Sequence, residues 1–123
     1  MSVIWHNGQF AESRDKALSP ESPGLQFGTG CFTTMLCSRK GCEFLPAHLG
    51  RLQKSLALFG MDLPDEDYQS LAAALLKKNG WTRARMKILC LENEEQGTDL
   101  FLLQSPAGQA PGPVHLALSH EKR

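Results

Sequence analysis

The sequence predicts an α+β domain in two layers, an antiparallel sheet with two helices packed on one face. Three observations carry this reading. Asn7-Gly8 stands between short strand-like runs and marks a hairpin near the start. Two runs with helical apolar spacing follow one another between residues 46 and 80, with no strand between them. An alternating run over residues 83–91 then restores strand character. Helices set apart from strands, without βαβ alternation, belong to the α+β class.

The elements follow in order. Val3-Ile4-Trp5 and Gln9-Phe10 flank Asn7-Gly8, which supplies the two positive-φ positions of a type I′ turn. Residues 11–30 are polar and rich in Ser, Pro and Gly, and Pro20 and Pro23 argue for an irregular connection. Residues 31–37 are apolar and β-branched, and Arg39-Lys40-Gly41 turns them into a second strand, Cys42-Glu43-Phe44-Leu45. Pro46 suits a first helical turn, where its missing N–H costs nothing. Leu49, Leu52, Leu56 and Phe59 continue at helical spacing to a stop at Gly60.

Pro64-Asp65-Glu66-Asp67 opens a second helix whose acidic start suits the positive end of the dipole. Tyr68, Leu71, Ala72, Leu75 and Leu76 form its buried face, and Lys77-Lys78-Asn79-Gly80 closes it. In the next strand Ala84, Met86, Ile88 and Cys90 share one face, with Arg83, Arg85 and Lys87 on the other. The acidic turn at 92–97 leads to a strand at 99–104. A Pro/Gly-rich break at 105–113 precedes a last strand at 114–118.

Bulk properties narrow the function classes. A chain of 123 residues suits one domain, and 41% apolar with 21% charged residues is ordinary for a globular protein. Thirteen basic residues cancel thirteen acidic ones, so no global field favours nucleic acid or an anionic membrane. No stretch approaches the roughly 20 apolar residues that span a bilayer. The start, Met1-Ser2-Val3-Ile4-Trp5-His6, lacks the features of a secretory signal, so a cytoplasmic location is expected.

Cys31, Cys37, Cys42 and Cys90 show no Cys-x-x-Cys spacing. Cys37 and Cys42 flank the turn at 38–41, and the other two lie in apolar runs. Four free thiols and no metal site are expected.

Two places carry chemistry. Phe27-Gly28-Thr29-Gly30 brings the backbone through a tight path into a strand, where a turn or a close approach needs glycine. It precedes a strand rather than a helix, which argues against a Rossmann phosphate loop. In His48-Leu49-Gly50-Arg51-Leu52, residues 48 and 51 project from one side of the helix. An arginine there either covers apolar neighbours with its stem or holds a phosphate bidentately.

Residues 26–34, Gln-Phe-Gly-Thr-Gly-Cys-Phe-Thr-Thr, are similar to the phrase QFGDGCFTT of aminodeoxychorismate lyases. Residues 46–53, Pro-Ala-His-Leu-Gly-Arg-Leu-Gln, are similar to their SAHIQRLQ. The chain therefore resembles the small N-terminal domain of fold-type IV (class IV) pyridoxal-phosphate enzymes, most closely the lyases. The specific motifs occupy residues 26–53, while the order of the elements matches over essentially the whole chain.

The resemblance implies a cofactor, pyridoxal 5'-phosphate, held as a Schiff base on a lysine between a small and a larger domain. It implies that Arg51 binds the cofactor phosphate and that Phe32, Thr34 and His48 line the substrate pocket. The implied reaction converts 4-amino-4-deoxychorismate to 4-aminobenzoate and pyruvate, a step of folate biosynthesis, in a homodimer. None of Lys16, Lys40, Lys54, Lys77, Lys78, Lys87 or Lys122 matches the Schiff-base position. The expectation is a small domain over residues 1–118, an interdomain linker beginning at 119–123, and a lysine-bearing domain absent from this chain. Alone the chain would then lack turnover.

Thr29 stands where the family usually has Asp, and Ser22-Pro23-Gly24 replaces its usual Asp-Arg-Gly-like approach. The turn at 92–97 is acidic where family members often carry a basic, glycine-rich loop. Two alternatives accompany the lyase: an aminotransferase for D-amino or branched-chain acids, and a non-catalytic interaction module.

Overall fold

The structure, a computed structural model, describes residues 2–13, 24, 28–95 and 97–107. Its elements are β1 (Val3–His6), β2 (Gln9–Glu12), β3 (Gly30–Ser38), β4 (Gly41–Cys42), α1 (Leu45–Ala57), α2 (Tyr68–Asn79), β5 (Arg83–Glu92) and β6 (Thr98–Pro106). The six strands form one sheet in the order β2-β1-β6-β5-β3-β4, every neighbouring pair antiparallel. The predicted α+β architecture is the observed one.

Local chemistry explains the first hairpin. Asn7 and Gly8 have φ of 47° and 97°, as a type I′ turn demands. The Asn7 side chain then ties this turn to β6. Its Oδ1 accepts from the Leu100 N–H at 2.7 Å, and its Nδ2 donates to Asp99 Oδ1 at 2.9 Å.

The core lies between the helices and one face of the sheet. Strand alternation selects Met35 and Cys37 from β3, Ala84, Met86, Ile88 and Cys90 from β5, and Leu100 and Leu102 from β6. Leu52 and Leu56 of α1, and Tyr68, Ala72, Leu75 and Leu76 of α2, close over them. Burying side chains such as Leu56, Leu75, Met86 and Ile88 contributes about 1.5–3 kcal/mol each. Among the described residues no helix is long and apolar enough to cross a membrane.

Three elements differ from the sequence expectation. The second strand of the β3–β4 hairpin stops at Cys42 and does not continue to Leu45. Phe44 takes the left-handed conformation, φ 57°, which leaves the ladder and starts α1. Phe59 lies beyond the end of α1 and is 51% exposed, because the chain turns through Leu58 and Phe59 to Gly60 at φ 71°.

The second helix opens at Tyr68 and not at Pro64. Only Asp67 of the acidic run acts at its end, accepting from the Ser70 N–H at 3.1 Å and the Ser70 hydroxyl at 2.8 Å. The last strand, β6, extends to Pro106, further than expected. The strand expected at 114–118 and most of the connection at 14–27 lie outside the described residues.

Candidate functional site

α1 positions the first two functional side chains. Pro46 lies in its first turn, and Leu52 and Leu56 fix which face is buried. His48 and Arg51, three residues apart, share the adjoining face. Arg51 Nη2 lies 3.2 Å from His48 Nδ1. The same Nδ1 lies 2.7 Å from Thr33 Oγ1 on β3.

A hydroxyl and a guanidinium directed at one ring nitrogen make Nδ1 an acceptor, so His48 is neutral with its proton on Nε2. Burial, then the charge of Arg51, holds the His48 pKa below its ordinary 6.5. Arg51 is exposed, and among the described residues no carboxylate forms an ion pair with it. Its remaining N–H groups are available to an anion. This donor set fits a phosphate group.

Thr33 is not among the expected site residues, although the sequence carries a signal for it. It alternates with Cys31, Met35 and Cys37 and faces Ile88 in register, so strand parity directs it to the helix side.

Phe32 and Thr34 stand on the opposite face of β3, paired with Leu89 and Lys87. The four expected site residues therefore divide into two groups, His48 with Arg51 on the helix side and Phe32 with Thr34 on the open face. The open face brings in a further residue outside the expected set, Lys87, whose Nζ lies 4.6 Å from the centre of the Phe32 ring. Burial lowers the Lys87 pKa from its ordinary value. On the same face His6 stacks on Phe101 with centroids 4.2 Å apart, and its Nε2 lies 3.8 Å from Asp99 Oδ1.

Gly30 opens β3 where no side chain fits. A Cβ there would strike the Cys90 carbonyl oxygen and come within 2.8 Å of Leu91 Cδ2. The acidic turn after β5 reaches the same end of the sheet, since the Glu92 N–H donates to the Thr29 carbonyl at 3.0 Å. Asn93 organises this turn, its Oδ1 accepting from the N–H groups of Glu95 and Gly97 at 3.0 and 2.9 Å. All four cysteines carry thiols rather than disulfides. Among the described residues, no group of three or more His, Cys, Asp or Glu side chains could hold a metal ion.

Known proteins share this geometry. The structure is similar to the branched-chain aminotransferase of Thermoproteus uzoniensis with norvaline, with 18% identity, a TM-score of 0.75, and coverage of 88% of this chain and 41% of that one. It is similar to the Escherichia coli branched-chain amino acid aminotransferase, with 23% identity, a TM-score of 0.74, and coverage of 91% and 42%. A third similar structure is a thermophile branched-chain amino acid aminotransferase (T.th.) with pyridoxamine 5'-phosphate, with 20% identity, a TM-score of 0.74, and coverage of 92% and 42%. The chain thus spans about two fifths of the length of the structures it matches, and at these identities the likeness shows the fold. No curated protein matches the sequence. The family description for class IV amino-transferases matches residues 30–122, three quarters of the sequence. The chain is a member of the class IV aminotransferase family.

Proposed function

We propose that this chain is the phosphate-binding and pocket-lining part of a pyridoxal-phosphate-dependent aminodeoxychorismate lyase. The observation that carries the cofactor reading is Arg51, exposed, without a carboxylate partner among the described residues, and steered by a neutral His48. Such a guanidinium keeps its fork of donors free for a phosphate, which it binds bidentately. The T.th. relative holds pyridoxamine 5'-phosphate, which supports the cofactor class.

When bound, the cofactor supplies an electron sink for bonds broken next to the substrate nitrogen. This chain's residues do the holding and shaping. Thr33 fixes the His48 ring by hydrogen bonding to Nδ1, and His48 in turn fixes Arg51. Phe32 and Thr34 line the substrate side, where Phe32 presents an aromatic surface beside the Lys87 ammonium. That ammonium is a counter-charge for a substrate carboxylate. The proposal includes a homodimer in the cytoplasm, residues 1–118 as the small domain, and a lysine outside this chain that bonds the cofactor.

The lyase activity rests on Cys31-Phe32-Thr33-Thr34, the run most similar to the lyases. A second reading, amino-group transfer from branched-chain or D-amino acids, has its own support. The structural neighbours are branched-chain aminotransferases, and the turn carrying Glu92, Glu94 and Glu95 disfavours a dianionic substrate. Assays on the full-length protein separate them. Release of 4-aminobenzoate supports the lyase, and amino transfer to a keto acid supports the alternative. A purified full-length protein with neither pyridoxal absorbance nor cofactor binding sinks both.

A further inference from the structure

Cys37 and Cys42 face each other across the β3–β4 hairpin as register partners. The Glu43 N–H donates to the Leu36 carbonyl at 2.9 Å, which makes Leu36 and Glu43 a hydrogen-bonded pair. The adjoining Cys37–Cys42 pair is therefore of the non-hydrogen-bonded kind, with Cα atoms about 4.5 Å apart. That spacing lies within the range a disulfide accepts, about 4.4–6.8 Å. The sulfurs point at one another, 2.7 Å apart. The hairpin is also held from behind, because the Cys42 N–H donates to Gln69 Oε1 of α2 at 2.9 Å.

We propose that Cys37 and Cys42 form a reversible dithiol–disulfide site, oxidised by hydroperoxides, that clamps the hairpin from which α1 starts. The two thiols are unequal, as such a site requires. Cys42 is partly exposed, whereas Cys37 is 2% exposed. The Cys37 S–H, donated to Cys42 Sγ, lowers the Cys42 pKa against the opposing effect of burial. The same bond, followed by burial, raises Cys37. Cys42 is thus the attacking thiolate and Cys37 the resolving thiol. Cys90, fully buried with its pKa pushed up to about 12 by burial, is a poor competitor.

The chemistry balances. The Cys42 thiolate attacks one peroxide oxygen, the O–O bond breaks, and the departing oxygen leaves as water or alcohol after taking a proton. Cys42 is then a sulfenic acid. Cys37 Sγ attacks Cys42 Sγ, the S–S bond forms, the S–O bond breaks, and the hydroxide leaves as water with the Cys37 proton. Two thiols lose two electrons and two protons, and the peroxide accepts both. A dithiol reductant reverses the step by exchange.

The turn sequence makes the product readable. Trypsin cuts after Arg39 and Lys40, which puts Cys37 in peptide 17–39 and Cys42 in peptide 41–51. Reduced full-length protein is treated with one equivalent of hydrogen peroxide and digested without reductant. The expected result is an intact mass lower by two hydrogens and a linked 17–39/41–51 pair that dithiothreitol releases. Cys31→Ser must leave that pair in place, because Cys31 shares peptide 17–39, and Cys42→Ser must abolish it. Oxidation of Cys42 to sulfinic acid with Cys37 still alkylatable overturns the proposal. So does a linked pair lost in Cys31→Ser, or a covalent dimer on a non-reducing gel. If Cys42→Ser does not fold, the wild-type and Cys31→Ser digests decide alone.

Discussion

Thr33 Oγ1 lies 2.7 Å from His48 Nδ1, joining the middle of β3 to the face of α1 that carries Arg51. Replacing Thr33 by Val keeps the shape and removes the donor. The expected cost is about 1 kcal/mol of stability, the net contribution of one such bond. Urea denaturation of Thr33→Val against Thr33→Ser measures it. Equal midpoints for the two variants show that the hydroxyl contributes nothing.

Arg51 separates binding from folding. It is exposed and without a carboxylate partner among the described residues, so Arg51→Ala changes stability by no more than about 0.5 kcal/mol. Charge-assisted bonds to a phosphate contribute about 1.5–3 kcal/mol, so cofactor affinity falls roughly 10- to 100-fold. Arg51→Lys recovers part of this, because an ammonium cannot bind bidentately. Equilibrium dialysis of pyridoxal phosphate against the full-length variants is the measurement. Unchanged affinity places the phosphate elsewhere.

Elements are legible in this sequence where one residue type dictates one conformation. Asn7-Gly8 specifies the first hairpin, and Gly80 ends α2 at φ 73°, both because left-handed positions favour so few residues. Period-two alternation in β5 reveals its buried face in full, with Ala84, Met86, Ile88 and Cys90 all at 0% exposure. The end of β4 is not legible, since it depends on Phe44 adopting a conformation that aromatic residues seldom take. The start of α2 is ambiguous because an acidic run suits a helix end whether it lies inside or before the first turn.

The site is legible only in part, for a different reason. His48 and Arg51 follow from helical spacing alone. Thr33 and Lys87 become visible once β3 and β5 are placed in register, which is long-range information.

Gly30 tests the packing at the start of β3. A methyl group there meets the Cys90 carbonyl and the Leu91 side chain, and a backbone carbonyl in a central strand cannot move aside cheaply. Gly30→Ala is expected to cost about 1–3 kcal/mol, the usual penalty of overpacking. Gly50→Ala is the control, because a Cβ at Gly50 meets nothing within 4 Å. The two variants' denaturation midpoints should differ clearly, and coincidence of the midpoints removes the argument.

His48 gives stability a pH dependence with a definite sign. Its folded pKa lies below 6.5 through burial and the Arg51 charge, so the folded state binds the proton less readily than the unfolded chain. The contribution is complete above pH 6.5 and is lost as pH falls from there through the lowered folded value. Solvent screening keeps it small, since His48 is only partly buried. Melting temperatures measured from about pH 8 to about pH 5 should fall more for the wild type than for His48→Gln. Parallel curves reject the assignment of this slope to His48.

Lys87 distinguishes a substrate role from a structural one. Its ammonium lies over the Phe32 ring and is partly buried, which lowers its pKa and makes its charge costly to the fold. Lys87→Met keeps the apolar stem and removes that charge, so stability should hold level or rise. If the ammonium receives a substrate carboxylate, KM should rise at least about tenfold, the equivalent of one charge-assisted bond. Cofactor affinity should not change, because Lys87 and Arg51 lie on opposite sides of the sheet. Steady-state kinetics of full-length Lys87→Met, with the cofactor dissociation constant measured beside it, decides the point. A raised KM with unaltered stability assigns the lysine to substrate binding, whereas lost stability with unaltered KM assigns it to the fold.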